Sequence, residues 1–223
     1  MRRQNDYEKV GKVICVGRNY TEHIKELGNE TPKQPLIFLK PDSAIVNSGS
    51  KVTIPSFSEN CHHEVEIALV ISHKCKSLEL AEVPEYLLGI GIAVDLTLRD
   101  VQKRAKERGL PWAIAKGFDG ACPISEIVPI ENIDLENIDF NLKVNGEERQ
   151  NGNSKFMIWD CLALVKYASE MFTLNRGDVI LTGTPKGVSQ ILKGDFVQAE
   201  IPGVVELDFS LDSQGINLLV HKV

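Results

Sequence analysis

Glu64-Val-Glu-Ile-Ala-Leu-Val-Ile-Ser72 decides the fold: Val65, Ile67, Leu69 and Ile71 recur at a period of two. That is the period of a β-strand, in which successive side chains point to opposite faces. Glu64 and Glu66 then share a face, roughly 6.5–7 Å apart along the strand. Ala68 and Val70 continue their face while Val65, Ile67 and Leu69 occupy the other, so both faces read as buried. Two like charges in so poorly hydrated a place are costly unless they protonate or share a cation. The alternative is a pair at the solvated mouth of the strand. Asp95 favours the cation, because it ends the apolar run Leu88–Val94, where a strand terminus presents functional groups. Three carboxylates suit a hard, oxygen-preferring divalent ion, Mg²⁺ or Mn²⁺.

Working outward, Lys12–Val16 and the proline-bounded run Pro35–Pro41 read as strands, as does Leu87–Leu96. Tyr20–Leu27 reads as a short helix, with Tyr20, Ile24 and Leu27 on one stripe. Thr97 followed by Asp100 resembles a capping box opening a helix over Leu98–Arg108. In the second half, Phe140, Leu142 and Val144 alternate up to Asn145-Gly146, a hairpin signal. Met157–Phe172 has helical spacing. Arg176-Gly-Asp and Lys193-Gly-Asp each feed a strand, and Gly203–Phe209 and Ile216–Val220 would close the sheet. Val and Ile total 40 residues against 11 Ala, which favours strands over a helical bundle. The expectation is one domain over residues 1–223, mostly β with flanking helices (α+β), without linker or repeat.

Twenty-five Lys and Arg against 31 Asp and Glu give a formal net charge of −6. Phosphate-backbone binding draws on excess Lys and Arg, so no nucleic-acid partner is expected. No apolar run approaches the ~18 residues of a membrane helix, and the charged start Met1-Arg-Arg is not a secretory signal. Five cysteines (15, 61, 75, 122, 161), odd in number and without a C-x-x-C pair, read as reduced thiols of a cytoplasmic protein. His62 is in phase with Glu64 and within reach of the same ion, or is a hydrogen-bonded structural group; His63 and Cys61 read as structural. His63-Glu64 is not an H-E-x-x-H zinc motif. Gly89-x-Gly91 lacks the third glycine and the helix of a dinucleotide-binding turn.

Six stretches resemble the fumarylacetoacetate hydrolase family, in its small acylpyruvase and oxaloacetate decarboxylase branch. They are Val16-Gly-Arg-Asn-Tyr-Thr-Glu-His-Ile-Lys-Glu26, Phe38-Leu-Lys-Pro41, His62-His-Glu-Val-Glu-Ile-Ala-Leu-Val70, Asp95-Leu-Thr-Leu-Arg-Asp-Val-Gln102, Leu110-Pro-Trp-Ala-Ile-Ala-Lys-Gly-Phe-Asp119 and Gly177-Asp-Val-Ile-Leu-Thr-Gly-Thr-Pro-Lys-Gly187. The resemblance implies a twisted β-roll with flanking helices, a homodimer, and Mg²⁺ or Mn²⁺ held by Glu64, Glu66 and Asp95. It places Lys116, Arg99, Gln102 and Thr184 against the substrate, and His23 with Glu26 as a catalytic pair on a mobile lid helix. Lys116 counts both as catalytic and as substrate-binding. The length fits the catalytic domain of this family alone. By themselves, His23 and Glu26 are an i, i+3 pair sharing a helix face, and Arg99 and Gln102 are another.

The implied chemistry is metal-dependent hydrolysis of an acylpyruvate, a small 2-oxo carboxylate. His23–Glu26 would activate water, C3–C4 cleavage would leave a pyruvate enolate, and the ion would stabilise its charge. The alternatives at the same site are decarboxylation or keto–enol tautomerisation of oxaloacetate. Further alternatives are a 2-oxo-alkenoate hydratase or isomerase, and a non-catalytic metal-stabilised binding protein, which has no use for His23–Glu26. With the ion, Arg99 and Lys116, the pocket becomes locally cationic within an acidic protein.

Overall fold

The computed structural model describes residues 10–212 apart from 27, 29 and 31. Its centre is a seven-stranded sheet. From edge to edge it runs Leu36–Lys40 (β2), Val13–Gly17 (β1), Val179–Leu181 (β12), Val65–Ile71 (β6), Leu87–Val94 (β7), Cys122–Ile124 (β9) and Ile45–Asn47 (β3). β6 is buried at all seven positions because neighbours hydrogen-bond both its edges and packing covers both its faces. Gly89 and Gly91 of β7 are closely overlain by the chain at Ser125–Val128, so a side chain at either would collide with it. The two glycines serve that close approach rather than a nucleotide turn.

A five-stranded sheet runs Glu147–Asn153 (β11), Asp139–Val144 (β10), Phe196–Ile201 (β14), Val205–Asp212 (β15) and Ser50–Thr53 (β4). Along β10, β14 and β15, buried residues alternate with more exposed ones. Phe140, Leu142, Val197, Ala199, Leu207 and Phe209 face inward, and β14 and β15 pack on β7 to close the core. The third sheet is Ser189–Ile191 (β13), Cys61–His63 (β5) and Thr97–Leu98 (β8). The helices are Thr21–Glu26 (α1), Arg99–Glu107 (α2), Ala113–Lys116 (α3) and Cys161–Met171 (α4). The molecule is mostly β, as expected.

Three local readings change. Thr97 does not cap α2: it lies in β8, pairs with His62, and its hydroxyl donates to the Asp95 carbonyl at 3.2 Å. α2 therefore starts after Leu98, without a side-chain cap. α4 starts at Cys161 rather than Met157, because Asp160 caps it by accepting the Ala163 N–H at 2.8 Å. Met157 instead bridges to Tyr20. The strand expected at Ile216–Val220 lies outside the described residues, as does Leu27 of the first helical stripe.

Candidate metal and substrate site

Four adjacent strands, β1, β12, β6 and β7, bring the chain to one end of the large sheet. β6 begins there with Glu64 and Glu66, and antiparallel β7 ends there with Asp95, whose N–H donates to the Glu64 carbonyl at 2.8 Å. β1 leads into Arg18 and α1, and β12, parallel to it, leads into Thr182–Gly187. Residues more than 160 positions apart thus meet because parallel pairing places their strand ends side by side.

Glu64, Glu66 and Asp95 each offer an oxygen within 4.8 Å of the others, and all three are buried. Burial pushes the Glu66 carboxyl well up, and the Asp95 and Glu64 charges push it further; Gly183 N–H, at 2.6 Å, opposes this. Burial also works against Glu64, but Arg99 and Lys116 outweigh it and hold that carboxyl well below its ordinary range. Convergent buried oxygens with one carboxylate in an unfavourable field fit a hard divalent cation.

Cations surround this set. Lys116, the last residue of α3, is buried and donates to Glu64 Oε2 at 2.8 Å, Asp95 Oδ2 at 2.6 Å and Thr97 Oγ1 at 2.6 Å. Burial lowers its ammonium, but Asp95 and Glu64 more than offset that, so it stays charged. It also lies 4.8 Å over the Phe38 ring. Arg99 donates to Glu64 and, at 2.8 Å, to Gln102 Oε1. Lys40 escaped the sequence reading. Fully buried at the end of β2, it sits 2.7 Å from Asp95 Oδ1 and donates to the carbonyls of Leu96, Ala121 and Lys116. Its only signal was a lysine inside the apolar run Pro35–Pro41.

His23 of α1 lines the same cavity as the three carboxylates. His23 is buried, and its Nδ1 lies 3.2 Å from Glu26 Oε2. Glu26 also accepts the Gly187 N–H at 3.0 Å, and Lys186 pairs with Glu22 at 2.9 Å. Gln150, likewise unanticipated, donates to Thr184 Oγ1 at 2.8 Å while accepting from Val65 N–H at 3.0 Å, which orients Thr184. Asn19, between β1 and α1, ties the start of α1 to the sheet, donating to the Trp159 and Thr182 carbonyls at 2.9 and 2.8 Å. One cavity is lined by His23, Glu64, Glu66, Asp95, Arg99, Gln102, Lys116 and Thr184. Glu26 reaches it through His23.

The neighbouring histidines stay apart. His63 lies 2.8 Å from both Gln150 Oε1 and Ser189 Oγ, a structural bridge. His62 does not line the cavity; burial, then the Arg99 charge, lowers it to about 4, so it is neutral. Cys61 is buried, and burial pushes its thiol up to about 12.

Residues 12–211 match the fumarylacetoacetate (FAA) hydrolase C-terminal family. The chain belongs to this family. Among family relatives, it is 44% identical over 210 residues to oxaloacetate tautomerase FAHD1, mitochondrial, of Arabidopsis thaliana, covering 94% of both chains. It is 42% identical over 208 residues to oxaloacetate decarboxylase, mitochondrial, of Dictyostelium discoideum, covering 92% of this chain and 95% of that one. The fumarylpyruvate hydrolase of Pseudomonas aeruginosa, solved with Mn²⁺ and pyruvate, superposes with a TM-score of 0.87 at 34% identity. The superposition covers 92% of this chain and 91% of that one. These family members are named as enzymes of small oxo acids, spanning tautomerase, decarboxylase and hydrolase.

Proposed function

We propose that this protein is a Mg²⁺- or Mn²⁺-dependent enzyme of oxaloacetate that interconverts its keto and enol forms and can release CO₂ through the same enolate. One observation carries the reading: Glu64, Glu66 and Asp95 share a cavity with Arg99, Gln102, Lys116 and Thr184 on one side and buried His23 on the other. The names of the 42–44% identical relatives support oxaloacetate over an acylpyruvate as the principal substrate. A divalent ion held by the three carboxylates would act as a Lewis acid toward the carboxylate and 2-oxo oxygens.

The chain's own groups supply the rest. Arg99 and Gln102 orient the carboxylate end, and Thr184, fixed by Gln150, offers a hydroxyl. Lys116 presents a fixed positive charge where oxygen gains negative charge, and needs no reorganisation to do so. Glu26 favours the His23 proton on Nδ1, which leaves Nε2 as the base. In tautomerisation Nε2 takes a C3 proton, the C3–H electron pair becomes the C2–C3 double bond, and the proton returns to oxygen. In decarboxylation the C3–C4 bond supplies that electron pair.

A second reading is supported by the Pseudomonas neighbour: hydrolysis of an acylpyruvate, with His23 drawing the proton from water. EDTA-stripped protein is assayed with oxaloacetate and acetylpyruvate, with and without added Mn²⁺ or Mg²⁺. Metal-dependent enolisation of oxaloacetate, lowered about 10²–10⁴-fold in His23→Ala, is expected. Faster turnover of acetylpyruvate than of oxaloacetate would move the assignment to the hydrolase, and no metal-dependent turnover of either would end it. The proposal includes one catalytic domain, a homodimer and a reducing compartment. Five unpaired, buried cysteines support the last, in a cytoplasm or in an organelle such as the relatives' names specify.

A further inference from the structure

Gln150 is 1% exposed and uses all four of its hydrogen-bonding positions. Its Oε1 accepts the Val65 N–H at 3.0 Å, and its Nε2 donates to the Pro185 carbonyl at 3.0 Å. A backbone N–H can only donate and a carbonyl oxygen can only accept, so these bonds fix which end of the amide is which. The remaining contacts then have a set direction. Oε1, at 2.8 Å, obliges His63 Nδ1 to carry a hydrogen, and Ser189 Oγ meets the other ring nitrogen at 2.8 Å. Nε2 has no lone pair to offer, so the Thr184 oxygen, at 2.8 Å, accepts from it. The Thr184 hydroxyl hydrogen is thereby directed away from Gln150, and Thr184 lines the cavity. Its backbone is pinned on either side: Gly183 N–H is held by Glu66, and the Pro185 carbonyl by Gln150. A bulge in β11 aims Gln150. Leu142 pairs with Gln150 but Lys143 pairs with Glu148, which leaves Arg149 as the extra residue. Bulges recur beside active sites, where they re-aim a side chain.

We propose that Gln150, braced by His63, is a positioning residue that fixes Thr184 as a hydrogen-bond donor to an anionic oxygen of the bound oxo acid. The proposal rests on the oxo-acid reading above and specifies the kind of atom that the Thr184 side of the cavity accepts. A carboxylate or enolate oxygen has lone pairs and no hydrogen, so it complements a donor held in that direction. A freely turning hydroxyl would present lone pairs as readily as its hydrogen, and lone pairs repel such an oxygen. Fixing the direction beforehand removes that cost from the binding step.

The test titrates Mn²⁺-loaded protein calorimetrically with oxalate, whose oxygens are all acceptors, in wild type, Gln150→Met, Gln150→Glu and Thr184→Val. In Gln150→Glu the carboxylate has no hydrogen for Thr184, so the hydroxyl turns toward it and shows lone pairs to the cavity. In Gln150→Met the hydroxyl turns freely. Oxalate affinity should fall about threefold in Gln150→Met and about tenfold or more in Gln150→Glu, with Mn²⁺ affinity within about threefold of wild type. A merely structural role gives the reverse order, because glutamate keeps the bonds to Val65 and His63 that methionine loses. In a Thr184→Val background, either Gln150 substitution should cost less than about twofold more. A glutamate penalty that persists there is plain charge repulsion and would overturn the proposal. So would the reverse order, unchanged affinity in both variants, Mn²⁺ affinity lost in step with oxalate, or no binding of oxalate to wild type. If Gln150→Glu does not fold, the methionine penalty decides, by vanishing or persisting in Thr184→Val. Oxalate binding involves no turnover. Absence of oxaloacetate turnover with this pattern intact would instead overturn the assigned reaction and leave the role of Gln150 standing.

Discussion

Glu66 is the residue under the greatest electrostatic tension. It is 2% exposed, beside two other carboxylates, with Gly183 N–H as its hydrogen-bond donor. Replacing it by glutamine relieves like-charge repulsion and removes an anionic ligand. Metal-free Glu66→Gln should melt about 2–4 °C higher than metal-free wild type and lose most of the rise that Mn²⁺ produces, read by calorimetry with and without EDTA. Lys40 is the counterweight. Its ammonium faces Asp95 and three carbonyl oxygens in a fully buried position, so Lys40→Met would leave a buried carboxylate short of a partner. A loss of about 3 kcal/mol in urea unfolding is expected, and a loss under about 1 kcal/mol would mean the pair is near neutral in energy. The carboxylates were readable because period-two spacing made them anomalous in a core strand. Lys40 was not, because one lysine in a short run carries no period, and its partners lie 55 to 81 positions away.

Among the elements, α1 and the Thr182–Gly187 loop act together. Gly187 has a φ of 96°, and its N–H holds Glu26; a Cβ there would run into the Arg149 carbonyl oxygen. Gly187→Ala should therefore displace the loop and release Glu26. Oxaloacetate turnover should drop at least tenfold while Mn²⁺ binding persists, since the three carboxylates lie on other elements. Full activity would contradict the latch. Element boundaries show where sequence patterns mislead. Thr97 and Asp100 have capping-box spacing, yet Lys116 donates to the Thr97 hydroxyl and sheet pairing takes its backbone. Met157 and Ile158 extend the apolar spacing of α4 backwards, but the cap at Asp160 sets the start. α3 has four residues, too few for any periodicity to register.

Across the whole molecule, the five cysteines are spread through one core and all are buried. Burial pushes the Cys61, Cys122 and Cys161 thiols up from 9.0 to about 12, and raises Cys15 and Cys75 as well. A folded-state pKa above the unfolded one favours the neutral thiol. The associated stability is complete below the unfolded pKa and is lost as pH rises toward about 12. The urea midpoint should therefore fall between about pH 8 and about pH 11, and a disulfide reagent at about pH 8 should label no cysteine until the protein unfolds. Rapid labelling of the native protein would contradict that packing. The exposed apolar side chains Leu39, Leu110 and Ile114 flank the outer edge strand β2, which supports the proposed homodimer. Light scattering that returns the 24.8 kDa mass of one chain would dismiss it.

The amino-acid pattern alone determined the mostly-β class, the phase of Glu64 and Glu66, the role of Asp95 as a strand terminus, and the run of motifs that carries the family resemblance. These are local properties: period, composition and spacing need no knowledge of what lies across the sheet. Tertiary structure decided the rest. Parallel pairing of β1 with β12 carries Glu26 to Gly187 and Asn19 to Thr182, and antiparallel pairing of β6 with β7 carries Asp95 to Glu64. No local pattern encodes such meetings, because they depend on which strand ends the hydrogen-bonded sheet brings together.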